Sequence, residues 1–266
     1  MVEFYSSPYL HLNDSIIQHF NISTFMNTPL TGKTALITGG TKGIGYGIAA
    51  AMLAQGMNVA ITSRKKTSAE TAAKKLAKIG TGSVMGIKAD VRDLKSQKDA
   101  VKATVKKFGA VNVLIANAGV GHFDSIEKLS AKQWSETIDI NLTGVFYSAK
   151  ASIPALKKSK GYFITIASLA GTNFFAKGTA YNASKFGLVG FSQAMMLDLR
   201  PHDVKVSTIM PGSVATHFND HTPDKDKDAW KIWPEDIGKL VIDLLQMHPR
   251  TLPSKIEVRP SKTAKS

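Results

Sequence analysis

The sequence has no cysteine among its 266 residues, which excludes disulfides and thiolate metal sites. A cysteine-free chain suits a reducing compartment, and a cytoplasmic location is expected. No apolar run approaches the ~18 residues of a membrane span, so no membrane partner is expected. Lysine and arginine are missing from residues 1–32, where Glu3 and Asp14 carry the only charges apart from histidine. That stretch lacks the positive start of a signal peptide and the arginines of a transit peptide.

Arginine is scarce as well. Of 34 basic residues only Arg64, Arg92, Arg200, Arg250 and Arg259 are arginines. The net charge of +14 invites a nucleic-acid reading through counterion release. The lysines, however, are scattered as pairs such as Lys74-Lys75, Lys106-Lys107 and Lys157-Lys158. With no basic block, zinc pattern or aromatic RNA-binding motif, they read as solvated helix faces, and no nucleic-acid partner is expected.

What is present is a regular alternation. Short apolar runs at Thr34–Thr38, Asn58–Ser63, Ser83–Ala89, Val111–Asn117, Tyr162–Ser168, Val204–Met210 and Lys255–Val258 read as strands. Between them, helical periodicity covers Gly43–Gln55, Ser68–Ile79, Leu94–Phe108, Ala131–Lys157, Thr179–Leu199 and Pro234–Met247. The pattern predicts an α/β fold with a parallel sheet. No repeat, low-complexity tract or linker divides the chain, so one domain over residues 30–260 is expected, with a tail at 261–266. Residues 1–29 read as an N-terminal extension. A second methionine, Met26, precedes the first strand-like run, and the expectation is that the native protein starts there.

The first strand runs into Thr38-Gly39-Gly40-Thr41-Lys42-Gly43-Ile44-Gly45, and then into a helix closed by Gly56. Glycines in such a turn let the backbone approach a ligand, and the helix start offers free N–H groups and a positive dipole end to a pyrophosphate. Their spacing is G-x-x-x-G-x-G, not the usual G-x-G-x-x-G. The second strand ends Ser63-Arg64-Lys65-Lys66, with no acid to take a ribose 2′-hydroxyl. Arg64, Ser63 and Lys42 suit a 2′-phosphate instead, so NADP (NADPH) is the expected cofactor.

Tyr181 and Lys185 stand four residues apart, on one helix face, thirteen residues after Ser168. An ammonium beside a phenol favours the phenolate and would let the tyrosine exchange a proton near neutral pH.

Taken in order, Thr38–Gly45, Asp90-Val91, Asn117-Ala118-Gly119, Asn141, Ser168, Tyr181–Lys185 and Pro211-Gly212-Ser213-Val214-Ala215-Thr216 resemble the short-chain dehydrogenase/reductase family over roughly residues 30 to 260. The resemblance implies a Rossmann-like, doubly wound parallel sheet of about seven strands with helices on both faces, and a homodimer or homotetramer. It also implies roles. Tyr181 would protonate a carbonyl oxygen, Ser168 would hydrogen-bond that oxygen, and Lys185 would lower the tyrosine pKa and bind the nicotinamide ribose. Asn141 would position a water that relays protons to the lysine. Gly39, Thr41, Lys42, Gly43, Ile44, Gly45, Ser63 and Arg64 would hold the phosphates and ribose. Asp90 and Val91 would meet the adenine, with Asn117, Ala118 and Gly119 along the cofactor. Pro211, Gly212, Val214 and Thr216 would flank the carboxamide.

Two stretches depart from the family. Where many members end in a V-D-G-G-like tail, this chain reads Ser254-Lys255-Ile256-Glu257-Val258-Arg259-Pro260. Ala194-Met195-Met196-Leu197-Asp198 is apolar where carrier-protein reductases tend to carry a basic residue. The polar segment His217–Trp230 reads as a mobile lid. Within it His217, Asp220 and His221 read as solvated residues, and no metal is expected. Phe174, Phe175, Phe218, Trp230 and His122 are candidates to line an apolar pocket. The expected activity is hydride transfer between NADPH and a carbonyl or alcohol substrate: a ketone, an aldehyde or a 3-oxoacyl group. The alternatives are a carrier-protein thioester reductase of fatty-acid synthesis and a non-catalytic NADP-binding scaffold.

Overall fold

Adjacent residues of a strand face opposite sides of a sheet, so a strand apolar at every position must be covered on both. Leu36 and Ile37 show the consequence, each fully buried in a different half of the core. The computed structural model describes residues 29–263, and the expectation about Met26 and residues 1–25 lies outside them. Strands β1 (Thr34–Ile37), β2 (Asn58–Ser63), β3 (Val84–Lys88), β4 (Val113–Ala116), β5 (Tyr162–Ile166), β6 (Lys205–Pro211) and β7 (Lys255–Val258) form one sheet in the order β3-β2-β1-β4-β5-β6-β7. Every neighbouring pair is parallel, with Ile37 opposite both Ile61 and Ile115. The order reverses between β1 and β4, the place where open α/β sheets leave a crevice at their carboxyl ends.

The helices are α1 (Gly43–Ala54), α2 (Lys66–Leu76), α3 (Leu94–Phe108), α4 (Ala131–Ile138), α5 (Gly144–Ser159), α6 (Thr179–Leu199) and α7 (Pro234–Gln246). On one face of the sheet α1, α2 and α7 bury Ile48, Met52, Leu53, Leu76, Ile237 and Val241. On the other, α3, α5 and α6 bury Val101, Val145, Leu156, Leu188 and Leu199 against Leu114 and Phe163. Each fully buried side chain of this size contributes ~1.5–3 kcal/mol. The sheet is therefore doubly wound, as expected. Among the described residues no helix is long and apolar enough to cross a membrane.

The expected single helix from Ala131 to Lys157 is instead three pieces. Between α4 and α5 lies a π-helical turn, Asp139–Thr143, with Asn141 at its centre. Gly144 does not break the helix there, since its φ of −64° and ψ of −33° are helical. Its reason is close approach, because a Cβ at Gly144 would sit 2.9 Å from Val91 Cγ2. Side-chain periodicity alone does not report the extra residue that a π turn inserts.

Helices α1 and α7 touch backbone to backbone through two glycines. A Cβ at Gly47 would lie 2.6 Å from the Pro234 carbonyl oxygen, and one at Gly238 would lie 2.8 Å from the Gly47 oxygen. Gly47→Ala is expected to lower the urea midpoint by an amount equivalent to ~1–3 kcal/mol, because a rigid backbone contact cannot give way. Urea denaturation followed by circular dichroism checks this, and an unchanged midpoint would contradict it.

Candidate active site

The turn after β1 is tied to the end of β4 by polar side chains. Thr38 Oγ1 accepts from the backbone N–H groups of Asn117 (3.0 Å) and Ala118 (3.2 Å) and donates to the Ile115 carbonyl (3.4 Å). Asn117 Nδ2 donates to the carbonyls of Thr38 and Gly39, both at 3.0 Å. Gly39 and Gly43 adopt φ of 65° and 57°, in the left-handed region that glycine enters without strain. Gly45 is buried, and a Cβ on it would lie 2.5 Å from Asn117 Nδ2. It supports the turn from behind and does not line the cleft, whereas Gly39, Thr41, Lys42, Gly43 and Ile44 do.

That cleft encloses about 1350 Å³ along the carboxyl edge of the sheet. This exceeds the ~300–1,000 Å³ of a site for one drug-sized ligand. Ser63 and the exposed Arg64 stand at its β2 end. Asp90 and Val91 follow β3, and Asn117, Ala118 and Gly119 follow β4. Pro211, Gly212, Val214 and Thr216 border it from β6 and the chain beyond. Asp90 is paired with Arg92 at 2.6 Å. That hydrogen bond holds its carboxyl below the usual range, with a smaller contribution from Arg64.

Helix α6 brings Tyr181 and Lys185 to the same cleft, with Ser168 opposite at the end of β5. Lys185 is 5% exposed, its Nζ donates to the Ile166 carbonyl at 3.1 Å, and it lies 5.6 Å from the centre of the Tyr181 ring. Burial lowers the ammonium pKa to about 8. Burial likewise raises the Tyr181 phenol, with the Ser168 hydroxyl opposing the rise. The expected lowering of the phenol by Lys185 is therefore not what this arrangement shows. The ammonium is spent on a strand-end carbonyl, and desolvation of the phenol dominates. Ser168 Oγ accepts from Ala170 N–H at 3.1 Å and donates to the Pro211 carbonyl at 3.4 Å.

Asn141 is fully buried behind this corner. Its Oδ1 accepts from Val120 N–H, and its Nδ2 donates to the Val120 carbonyl and to Ser184 Oγ. A Cβ at Gly119 would sit 3.3 Å from Asn141 Oδ1 and 3.8 Å from Lys185 Nζ, so a side chain there would crowd the Asn141 amide.

The segment after Thr216 is knit together rather than simply solvated. Asp228 is buried and accepts from Lys231 (2.7 Å), pairs with His221 (2.6 Å) and receives the Asp224 N–H at 3.1 Å. These partners, Lys231 first, hold the Asp228 carboxyl well below the usual range. His217 and Asp220 are exposed, as expected. Of the proposed pocket residues, His122, Phe175, Phe218 and Trp230 line the cleft, and so does Phe174, although it is 83% exposed and stacks on Phe186. Phe123, Thr38 and Arg92 have structural parts here that the sequence reading missed. Phe123 sits in a loop without periodicity, and nothing in its spacing marks it.

A family model described as short chain dehydrogenase matches residues 33–227. The chain is 36% identical to trans-4-hydroxycyclohexanecarboxylate dehydrogenase of Sinomonas cyclohexanicum over 189 residues, 69% of this chain and 73% of that protein. It is 32% identical to the 3-oxoacyl-(acyl-carrier-protein) reductase FabG of Chlamydia muridarum over 210 residues, 77% of this chain and 83% of that protein. Against glycine betaine reductase ATRR of Emericella nidulans it is 30% identical over 92% of its own length, but it spans 20% of that protein. Among solved structures, an alcohol dehydrogenase from the archaeon Thermococcus sibiricus, complexed with 5-hydroxy-NADP, superposes with a TM-score of 0.82 at 28% identity, covering 88% of this chain and 99% of that one. The chain belongs to the short-chain dehydrogenase/reductase family.

The buried ammonium carries a stability consequence. Lys185 has a folded pKa of about 8 against an ordinary 10.5, so between those values the unfolded chain holds a proton that the folded chain lacks. Stability therefore rises with pH across that window, and below it the folded protein carries the full desolvation cost, ~3 kcal/mol. Lys185→Met removes that cost but leaves the Ile166 carbonyl unpaired, so a net gain of ~1 kcal/mol at pH 7 is expected, lost by about pH 10.5. Urea denaturation at a series of pH values checks this, and a variant less stable at pH 7 would contradict it.

Proposed function

We propose that this chain is an NADPH-dependent oxidoreductase acting on a carbonyl or alcohol substrate, with Tyr181 as the general acid/base. The observation that carries the reading is one cleft bordered at one end by Lys42 and Arg64 and at the other by Tyr181, Ser168 and Lys185. Its residues fit a dinucleotide. Gly39 and Gly43 present bare backbone at the start of α1, where a pyrophosphate is favoured by free N–H groups and the helix dipole. Arg64 has no ion pair among the described residues and is available to a 2′-phosphate. Asp90-Val91 and Asn117–Gly119 suit the adenine and ribose path. Val214 and Thr216 suit the carboxamide end. When bound, the nicotinamide supplies or accepts the hydride.

The rest of the chemistry belongs to the chain. Tyr181 keeps its proton at neutral pH, because burial holds the phenol up, and so can give it to a carbonyl oxygen. Ser168 Oγ exchanges its weak 3.4 Å bond to Pro211 for one to that oxygen as charge develops. Lys185, titrating near neutrality, returns a proton toward the phenol. Asn141, locked onto Val120 and Ser184, positions a water beside Gly119 within reach of the lysine.

A carrier-protein thioester reductase is the second reading, supported by the likeness to FabG. Exposed Leu197 on α6 weighs against it, since an acidic carrier favours a basic face there. Exposed Trp134, Phe146 and Phe186 on α4, α5 and α6 support self-association as a homodimer or homotetramer. A cytoplasmic setting and a single domain over residues 30–260 complete the reading.

Tyr181→Phe should bind NADPH with unchanged affinity and lose turnover by ~10³-fold or more, measured by fluorescence titration and by absorbance of reduced nicotinamide. Retained activity would refute the acid role. Arg64→Asp should lower the NADPH/NADH ratio of kcat/KM by ~10-fold or more, because it replaces the phosphate's partner with a like charge. A ratio that does not fall would remove the NADP assignment.

A further inference from the structure

Tyr181 is enclosed by rings drawn from separate parts of the chain. Phe123, from the loop after β4, meets it edge-on with centroids 5.2 Å apart. Phe218, from the segment after β6, lies 5.8 Å from Tyr181 and 6.3 Å from Phe123. Phe175, from the loop before α6, backs Phe123 at 5.8 Å. Such spacings are those of mutually attractive aromatic pairs.

The backbone is shaped around this cluster. A Cβ at Gly121 would lie 2.8 Å from both Phe123 Cε2 and Phe218 Cζ, so a larger residue would push the two rings from these positions. Phe218 is delivered by a turn in which Asn219 and Asp220 both take left-handed φ, 53° and 59°, which non-glycine residues rarely adopt. Its N–H is tied to Thr216 Oγ1 at 3.3 Å.

Charge is kept away from the rings. His122 is turned to Glu136 at 3.1 Å, His221 and Lys231 are bound to Asp228, and Arg259 is bound to Glu257 at 2.8 Å. His217, Asp220 and Lys262 stay exposed at the rim. The space beside Tyr181 is thus bordered by aromatic faces, and the nearby Lys185 ammonium, 5.6 Å from the ring centre, donates to the Ile166 carbonyl.

We propose that Phe123 and Phe218 are specificity-determining residues that select carbonyl compounds carrying a flat or compact apolar substituent, such as an aryl or alicyclic ketone, and that disfavour a carboxylate on the carbonyl carbon. This rests on Tyr181 being the proton donor. An apolar substituent completes the packing of the two rings, whereas a carboxylate set between Phe123 and Phe218 would be desolvated against aromatic faces. Discrimination by an apolar pocket is commonly ~10–200-fold per group, so the effect is measurable.

The test is steady-state kinetics of the full chain with NADPH on acetophenone and cyclohexanone against 2-oxobutanoate, for the parent, Phe218→Ala, Phe218→Leu and Phe123→Leu. The parent should favour the two ketones by ~10-fold or more in kcat/KM. Phe218→Ala should erase most of that preference through KM, and Phe218→Leu should keep most of it, with NADPH affinity unchanged in both. A parent that favours the oxo acid, or a ratio within ~2-fold of the parent's in Phe218→Ala and Phe123→Leu, would overturn the proposal. So would a parent that turns over only 3-oxoacyl thioesters, although that result leaves the hydride-transfer reading intact. Turnover of no carbonyl at all would overturn both.

Discussion

Parallel strands end with backbone groups that have no neighbour to pair with, and burying them unpaired is costly. Along the carboxyl edge of this sheet the partners are side chains of the candidate site. Asn117 closes Thr38 and Gly39, Lys185 closes Ile166, and Ser168 closes Pro211. The residues that support the fold at this edge are therefore the residues available for chemistry. The bonds from Lys185 and Ser168 are single contacts that a ligand's oxygen can replace.

The cleft has two unlike halves. At the β2 end, Lys42 and Arg64 are exposed cations with no ion pair among the described residues, while Asp90 is occupied by Arg92. At the α6 end the surroundings are aromatic, and the buried Lys185 ammonium is held by the Ile166 carbonyl. A dinucleotide phosphate suits the first half and an uncharged reacting group the second. Burial raises the Tyr181 phenol and lowers the Lys185 ammonium, so desolvation drives their pKa values apart and a proton passes downhill from the ammonium to a phenolate.

Much of this arrangement was legible in the chain. Strand β1, the glycine turn and α1 follow one another in sequence, so local rules find them. Tyr181 and Lys185 share a face because four residues make about one helical turn. What escaped depends on distant packing. Gly45 looks like a ligand-facing glycine, yet it is small because Asn117 lies behind it. The π turn around Asn141 reflects how α5 meets Val91, a contact between segments some fifty residues apart in the sequence. Phe123 belongs to a loop, where no period marks an inward residue. The Tyr181 pKa was read from one neighbouring charge, whereas burial by the whole corner sets its direction.

The central proposal is that hydride passes between a carbonyl protonated by Tyr181 and the nicotinamide of a dinucleotide whose 2′-phosphate is held by Arg64 and Lys42. The most direct measurement uses NADPH deuterated at the transferred C4 position together with a ketone, with the product alcohol examined by mass spectrometry. The account predicts an alcohol carrying one deuterium on the former carbonyl carbon. Unlabelled alcohol, or no alcohol from protein with NADPH bound across ketones, aldehydes and 3-oxoacyl thioesters, would contradict it.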